Sequence, residues 1–304
     1  MGLYAPFVKL YDKQQMRNSE ESMRQLTRLL KESEDNNEAV KLIELTNEHG
    51  SLAKSLAADL EHDLEKGDLT MYYQPQYDDK DKCIGAEALL RWKHPVYGYV
   101  YPPLIIELAD ECNILTQLEY FVFRKVCEDM QLIKQAARES IKISLNVTVS
   151  TLLSDGFDEF IRRTVKECKA EPQDMCIEIT EQMAFKSGED TSEIFNKLKA
   201  MGFCIAIDDF SMGYTSLKYL QNSRFDMVKL DGSIVREIEN NPRNKEIISS
   251  IIYLSQSLGF SVLAEFVETE TIRDSLKNIN CRLYQGYLYS PAINSDDFID
   301  VLKS

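Results

Sequence analysis

The sequence lacks long apolar runs and paired cysteines, and each absence excludes a class of protein. No run approaches the ~18 consecutive apolar residues of a membrane-spanning helix, and the start Met1–Tyr4 lacks the basic-then-apolar pattern of a signal peptide. No two cysteines form a C-x-x-C pair, so we expect reduced thiols in a cytoplasmic protein and no disulfide framework. The cysteines occur singly at positions 83, 112, 127, 168, 176, 204 and 281.

Basic residues are also scarce relative to acidic ones. With 35 basic and 50 acidic residues the formal net charge is −15, which argues against binding of a nucleic-acid polymer through a broad basic surface. A small anionic ligand is compatible with this charge if divalent metal ions supply local positive charge. The 304 residues, 44% of them hydrophobic, allow either two average domains or one large α/β barrel with an appendage.

Residues 1–50 differ in composition from the rest and predict a helical arm. Asn18 and Glu21 resemble a capping box, and apolar residues recur at helical spacing on both sides of a polar stretch at 33–38. Two interpretations stay open: a solvated linker or packing arm, or a signalling helix that pairs with a second copy of the chain. The abrupt start on a charged helix leads us to expect an upstream sensor, which a membrane could anchor.

From residue 51 to 304 the pattern changes to short apolar runs that alternate with helical stretches. This alternation predicts a TIM-like (β/α)8 barrel in preference to an open sheet. The first connection, 78–82, is too short for a crossover helix, so we expect the first two strands to be antiparallel neighbours. The predicted strands are 71–77, 83–90, 141–147, 175–179, 203–207, 227–230, 261–264 and 282–287.

Oxygen-bearing side chains fall at the ends of these predicted strands. Because the carboxyl ends of parallel strands meet at one face of a barrel, we expect these side chains and one lysine to converge there. A buried cluster of five or six carboxylates is untenable unless bound cations neutralise it. The residues concerned are Glu87, Asn146, Glu178, Asp208, Asp209, Lys229, Asp231 and Glu265.

The chemistry of these donors indicates which metal would bind. All of the candidate ligands offer oxygen, and none of the histidines, at positions 49, 62 and 94, ends a predicted strand. Oxygen donors favour Mg²⁺ or Mn²⁺ over zinc or copper. The adjacent Asp208 and Asp209 would allow one carboxylate to bridge two ions, as in two-metal phosphoryl-transfer sites.

Several sequence blocks of the barrel segment match a known family. They read Glu-Ala-Leu-Leu-Arg-Trp (87–92), Asp-Asp-Phe-Ser-Met-Gly-Tyr-Thr-Ser-Leu (208–217), Asp-Met-Val-Lys-Leu-Asp (226–231) and Gln-Gly-Tyr (285–287). Together they resemble the EAL-domain cyclic di-GMP phosphodiesterases over about residues 51–304. The resemblance implies a barrel enzyme with two divalent cations that cuts cyclic di-GMP to linear pGpG, with Ca²⁺ expected to inhibit.

The resemblance also implies roles for individual residues, by matching position. Asp208 would bridge the two metals, and Glu265 would be a ligand, a general base or both. The expected metal ligands are Glu87, Asn146, Glu178, Asp208, Asp209 and Glu265. The expected catalytic residues are Glu265, Lys229 and Glu181. The expected substrate contacts are Arg91, Gln74, Asp231, Gln285 and Glu268.

Two positions depart from the family's pattern. Ser211 stands where the family usually has glycine, and Phe266 interrupts the usual Glu-Gly-Val-Glu. Loss of a glycine restricts the backbone, and Phe266 adds a large side chain beside an expected ligand. We interpret both changes as lineage variation, with altered loop dynamics or product release as the alternative.

Rival functions remain open from the sequence alone. A degenerate receptor would bind cyclic di-GMP without cutting it, although every expected metal ligand is present here. A Mg²⁺-dependent lyase acting on carbon acids would need a lysine or histidine base beside the metal, and the helical arm could serve only as a scaffold. In the family the loop at 211–216 commonly lies at a dimer interface, so we expect a homodimer in which self-association positions that loop.

Overall fold

The computed structural model describes residues 47–137, 140–180, 190–210 and 225–303. Within these ranges the chain forms two compact units, residues 47–70 with 90–118, and residues 71–89 with 119–303. Most of the predicted arm at 1–50 lies outside the described residues, so its boundary at residue 51 stays a prediction. Glu181, Ser211 and the loop 211–216 also lie outside them.

The described residues carry short strands separated by helices, as the alternation predicts. The strands are β1 (Thr70–Asp78), β2 (Cys83–Arg91), β3 (Lys93–His94), β4 (Gly98–Tyr99), β5 (Lys142–Asn146), β6 (Met175–Thr180), β7 (Cys204–Phe210), β8 (Met227–Leu230), β9 (Ser261–Ala264), β10 (Leu283–Gln285) and β11 (Ile293–Asn294). The helices are α1 (Asn47–Lys66), α2 (Pro102–Glu111), α3 (Leu115–Ala136), α4 (Val149–Leu152), α5 (Phe157–Cys168), α6 (Asp190–Met201), α7 (Gly232–Val235), α8 (Pro242–Leu258), α9 (Glu270–Asn278) and α10 (Ser295–Lys303).

Strands β1, β2 and β5 to β10 form a closed barrel in the larger unit, with neighbours in chain order and β10 pairing back to β1. From β2 to β10 the neighbouring strands run parallel. Strand β1 runs antiparallel to β10, and it also forms the antiparallel first pair with β2. The predicted TIM-like barrel and its antiparallel first strand pair are therefore confirmed.

The turn between β1 and β2 explains why this pair is antiparallel. The Asp78 carboxylate accepts hydrogen bonds from the backbone N–H groups of Lys80 and Lys82, both at 2.9 Å. An aspartate that binds backbone amides two and four residues ahead stabilises a tight turn, and the backbone N–H of Asp78 also donates to the Lys82 carbonyl at 2.9 Å. The chain therefore reverses within four residues, which leaves no room for the helix that a parallel connection needs.

The barrel core consists of apolar residues that are covered on both faces of the sheet. Strand β6 is buried along Met175–Ile179, as expected when a barrel interior and an outer layer of helices cover the same strand. Helix α5 contributes to that outer layer through Phe157, Ile161, Thr164 and Cys168, which recur at helical spacing and are all buried. No helix among the described residues is long and apolar enough to cross a membrane.

The smaller unit has its own core and a buried tryptophan. Helix α1 buries Ala53, Leu56 and Leu60, all with 0% of their surface exposed, and it packs against α2. Trp92 is also fully buried, and its indole N–H donates to the Asp63 carboxylate on α1 at 2.8 Å. A buried indole normally finds an acceptor, and this bond connects α1 to the segment after β2.

Close approach of β2 to β5 explains the glycine at position 85. Gly85 is paired with Lys142 in the parallel register, and a Cβ atom at position 85 would lie 2.4 Å from the Lys142 carbonyl oxygen. Because that oxygen belongs to the backbone of a paired strand, the contact cannot be relieved by turning a side chain.

We therefore predict that Gly85→Ala lowers the free energy of unfolding by about 1–3 kcal/mol, the usual cost of overpacking. Chemical denaturation measures this directly. Gly156→Ala is the comparison variant that adds a Cβ atom without a clash, since Gly156 has open space around it. Its φ of +85° means that any loss of stability there reports backbone strain alone. A Gly85→Ala chain as stable as the unsubstituted chain would show that the two strands can separate without loss.

Candidate active site

The acidic side chains at the strand ends meet around one buried lysine. Lys229, on β8, is 0% exposed, and its Nζ atom lies within 3.2 Å of carboxylate oxygens from four different strands or strand ends. The distances are 2.8 Å to Glu178 Oε2, 3.0 Å to Glu87 Oε2, 3.0 Å to Glu265 Oε1 and 3.2 Å to Asp208 Oδ1. The convergence that the sequence predicts is therefore present in the larger unit.

The four carboxylates determine the charge state of Lys229. Burial by itself would lower the pKa of the Lys229 ammonium, but the surrounding carboxylates of Asp208, Glu178, Glu265 and Glu87 raise this pKa well above its ordinary value. These contacts favour the ammonium form of Lys229, which donates hydrogen bonds and stabilises negative charge.

One ammonium does not neutralise this cluster. Four carboxylates against one ammonium leave a formal excess of three negative charges. Burial raises the pKa of Glu178 and of Glu265 well above the ordinary value, and it raises the pKa of Asp208 as well. In Glu87 burial acts in the same direction, but Lys229 and hydrogen bonds from Gln285 and Asn146 outweigh it and lower the pKa.

Amide side chains hold the Glu87 carboxylate in place. Gln285 Nε2 donates to Glu87 Oε2 at 2.7 Å, and Asn146 Nδ2 donates to Glu87 Oε1 at 2.9 Å. Gln285 also donates to Gln74 Oε1 at 3.2 Å and accepts from Gln76 Nε2 at 2.9 Å. Sequence reasoning missed Gln76, although its position two residues after Gln74 on β1 places both on the same face of the strand.

A β-bulge brings two adjacent aspartates to the same cluster. Neighbouring residues of a regular strand point to opposite faces, but the pairing of β7 with β8 shifts between Ile207 and Phe210. Asp209, inside this shift, has a φ of +54°. As a result Asp208 and Asp209 both offer carboxylate oxygens within 4.8 Å of each other and of Glu265. Burial, followed by the charge of Asp208, raises the pKa of Asp209 to about 6.

The donors fit divalent metal ions that prefer oxygen. Two groups each place their carboxylate oxygens within 4.8 Å of one another, namely Glu87 with Glu178 and Asp208, and Asp208 with Asp209 and Glu265. Asp208 belongs to both groups, as a bridging ligand would. Among the described residues Glu178 Oε1 is a buried acceptor without a hydrogen-bond partner, and the buried Asp208 Oδ1 forms an ion pair with Lys229 but no further hydrogen bond. Such atoms are costly to bury unless a cation or water binds them.

Three of the expected substrate contacts have other partners than the cluster around Lys229. Asp231 caps helix α7 by accepting the Ser233 backbone N–H at 2.9 Å, and Glu268 forms an ion pair with Arg236 at 3.4 Å. Arg91 belongs to the smaller unit, where its guanidinium donates to the Leu90 carbonyl at 2.9 Å.

Glu119 is a further residue that sequence reasoning missed. Its buried carboxylate accepts the backbone N–H and the hydroxyl of Thr148, two residues after Asn146. It thereby supports the segment that follows an expected metal ligand. Nothing in the sequence around Glu119 marks it, since it lies within a helix far from any strand end.

A family model of the EAL domain matches residues 57–292, which is most of the chain. The chain belongs to the EAL-domain family. The match includes every described residue of the cluster around Lys229. It begins inside α1 and therefore leaves the boundary predicted at residue 51 untested.

Similar proteins share this EAL domain. The bifunctional diguanylate cyclase/cyclic di-GMP phosphodiesterase MucR of Pseudomonas aeruginosa is 31% identical over 77% of this chain and 34% of its own length. The cyclic di-GMP phosphodiesterase RocR of the same species is 32% identical over 80% of this chain and 62% of its own length. The structure of PaMucR phosphodiesterase in complex with c-di-GMP superposes with a TM-score of 0.74 at 30% identity, covering 79% of this chain and 99% of that one. The chain thus spans less than two thirds of the curated relatives named here.

We predict that Mg²⁺ or Mn²⁺ raises the midpoint of thermal unfolding and that Glu178→Gln abolishes most of this rise. Glutamine keeps the shape of the side chain but removes one anionic oxygen from the cluster, which weakens binding of a hard cation. Differential scanning fluorimetry with and without metal measures the effect.

Asp174→Asn is the matched control for this measurement. Asp174 is a buried acid outside the cluster and is bound to Lys134 at 3.0 Å, so this change should leave the metal-induced rise intact. An equal rise in Glu178→Gln and in the unsubstituted chain would exclude Glu178 from the metal centre.

Proposed function

We propose that this chain is a metal-dependent phosphodiesterase that hydrolyses cyclic di-GMP to linear pGpG. The observation that carries the proposal is that two sets of three acidic residues share Asp208 at the carboxyl end of the barrel. Membership of the EAL family and the similarity to MucR and RocR, both named as cyclic di-GMP phosphodiesterases, support the choice of substrate.

Two divalent cations, Mg²⁺ or Mn²⁺, are proposed as cofactors. When bound, they would lower the pKa of a water molecule and neutralise charge on the phosphate. The proposed ligands of the first cation are Glu87, Asn146, Glu178 and Asp208. The proposed ligands of the second are Asp208, Asp209 and Glu265.

Lys229 is proposed to stabilise negative charge that develops on the phosphoryl oxygens. An ammonium held at 2.8 Å from Glu178 and 3.0 Å from Glu87 suits that role. The carboxylate contacts of Lys229 favour its protonated form and so weigh against a lyase, because an enzyme that abstracts a proton from carbon needs a neutral lysine or histidine as base. The phosphodiesterase is therefore the better account of Lys229.

Glu265 is proposed to take the proton from the attacking water. Burial raises the pKa of its carboxyl, and a cation bound beside it would favour the ionised form that can accept a proton. Gln285 lies beside Glu87 and is proposed to orient the water or the phosphate. Glu181 is proposed to support the segment after Asp209.

The other substrate contacts and the wider organisation are also proposals. Arg91 would pair with a substrate phosphate, and Gln74, Asp231 and Glu268 would contact the nucleotide. We further propose that the chain acts as a homodimer in the cytoplasm, downstream of a sensor module joined to the arm at 1–50.

We expect the chain to convert cyclic di-GMP to pGpG with Mg²⁺ or Mn²⁺ and to bind it without conversion in Ca²⁺. Ion-exchange chromatography of the products, with isothermal titration calorimetry for binding, separates the two. Binding without product at any Mg²⁺ or Mn²⁺ concentration would make the chain a receptor and not an enzyme.

We predict that Glu265→Gln lowers kcat by a factor of about 10² to 10⁴, the usual contribution of a general base. The same chromatographic assay measures the rate. Glu167→Gln is the control, because Glu167 is a surface acid bound to Arg124 and should not affect turnover. A Glu265→Gln chain that retains most of its kcat would assign proton transfer to another group.

A further inference from the structure

An aromatic residue with an unusual backbone conformation follows Glu265 directly. Phe266 has a φ of +53°, a region that residues with a Cβ atom adopt at a conformational cost. Such strain persists only where the surrounding structure enforces it, and it is concentrated at functional sites. The conformation of Phe266 therefore calls for an explanation beyond filling of the core.

The ring of Phe266 is held from one side by helix α7 and the turn after it. A Cβ atom at Gly232 would lie 2.5 Å from the ring, so the ring rests on the bare backbone there. The Arg236 guanidinium carbon lies 4.2 Å from the ring centroid, in cation–π geometry. Glu268 in turn forms an ion pair with Arg236 at 3.4 Å.

The ring nevertheless remains open to solvent. Phe266 is 39% exposed, although it directly follows the buried Glu265. Tyr287 is 71% exposed and lies two residues after Gln285, which ends the neighbouring strand β10. Since β9 and β10 are parallel neighbours, exposed aromatic rings follow both of these strand ends beside the acidic cluster.

We propose that Phe266 is a substrate-binding residue on which one guanine base of cyclic di-GMP stacks, and that Arg236 and Glu268 position its ring. This inference rests on the proposed function. Cations held by the carboxylates can bind the phosphates of a cyclic dinucleotide but offer no surface on which its purines can stack. A partly exposed ring held by Gly232 and Arg236 can supply that surface, and base–aromatic stacking adds affinity without adding charge to an acidic site.

The test compares substitutions at position 266 that separate aromatic character from size and backbone strain. Phe266→Leu keeps an apolar side chain and the same strained φ but removes the aromatic face. Phe266→Gly removes the ring and relieves the strain, so it should not impair folding. Phe266→Tyr keeps the aromatic face and is the conservative substitution that should retain binding. Tyr253→Leu, on α8, is the control for loss of an exposed aromatic ring elsewhere on the surface, since Tyr253 is 71% exposed.

Calorimetry with cyclic di-GMP in Ca²⁺ should show that Phe266→Leu and Phe266→Gly raise Kd by about 5- to 100-fold, the factor that one stacked base is worth. Phe266→Tyr and Tyr253→Leu should bind like the unsubstituted chain. In Mg²⁺ or Mn²⁺ the same two weakened variants should show a raised KM with little change in kcat.

Several results would overturn the inference. Unchanged affinity in Phe266→Gly would mean that the ring does not contact the ligand, and unchanged affinity in Phe266→Leu would mean that stacking is not involved. If the Phe266 variants keep their affinity for cyclic di-GMP but sediment differently in the analytical ultracentrifuge, the ring serves self-association. These outcomes leave the proposed function intact, whereas an unsubstituted chain that neither binds nor cleaves cyclic di-GMP would overturn both.

Discussion

Repulsion among buried carboxylates is the constraint on which the rest of the site depends. Glu87, Glu178, Asp208 and Glu265 lie around a single ammonium group, and one positive charge leaves the cluster strongly negative. Hydrogen bonds from Gln285 and Asn146 stabilise the charge on Glu87, but the pKa of Glu178 and of Glu265 remains raised by burial. Such a cluster costs stability that apolar packing must offset. Its retention is understandable if it binds cations and performs chemistry.

Local backbone distortions concentrate where the strands deliver these residues. The bulge in β7 and the positive φ of Asp209 turn two adjacent aspartates toward one cluster. The positive φ of Phe266 places an aromatic ring outside the barrel end while Glu265 stays inside. Both distortions cost conformational energy, and both are enforced by neighbours, a paired strand in the first case and Gly232 with Arg236 in the second.

Much of this arrangement could be predicted from residue order. The strand runs, the short turn after Asp78 and the acids at strand ends predicted the barrel, its antiparallel first pair and the convergence of these acids with one lysine at one face. Gln76 and Glu119 escaped prediction because they act through contacts with residues distant in sequence. Gln76 reaches Gln285 across the closing seam of the barrel, and Glu119 supports Thr148 from a helix. The spacing of two from Gln74 is the one local signal for Gln76, and no local pattern marks Glu119.

The sequence by itself determined which residues lie at the carboxyl ends of the strands, because alternation of strands and helices orients parallel strands alike. It also predicted a metal that prefers oxygen ligands, since the donors at those ends are oxygens. Only the tertiary structure decided how these groups act on one another. Burial and distance depend on the closed barrel. They raise the pKa of Lys229, leave Glu178 Oε1 without a hydrogen-bond partner, and hold a partly exposed Phe266 against Arg236.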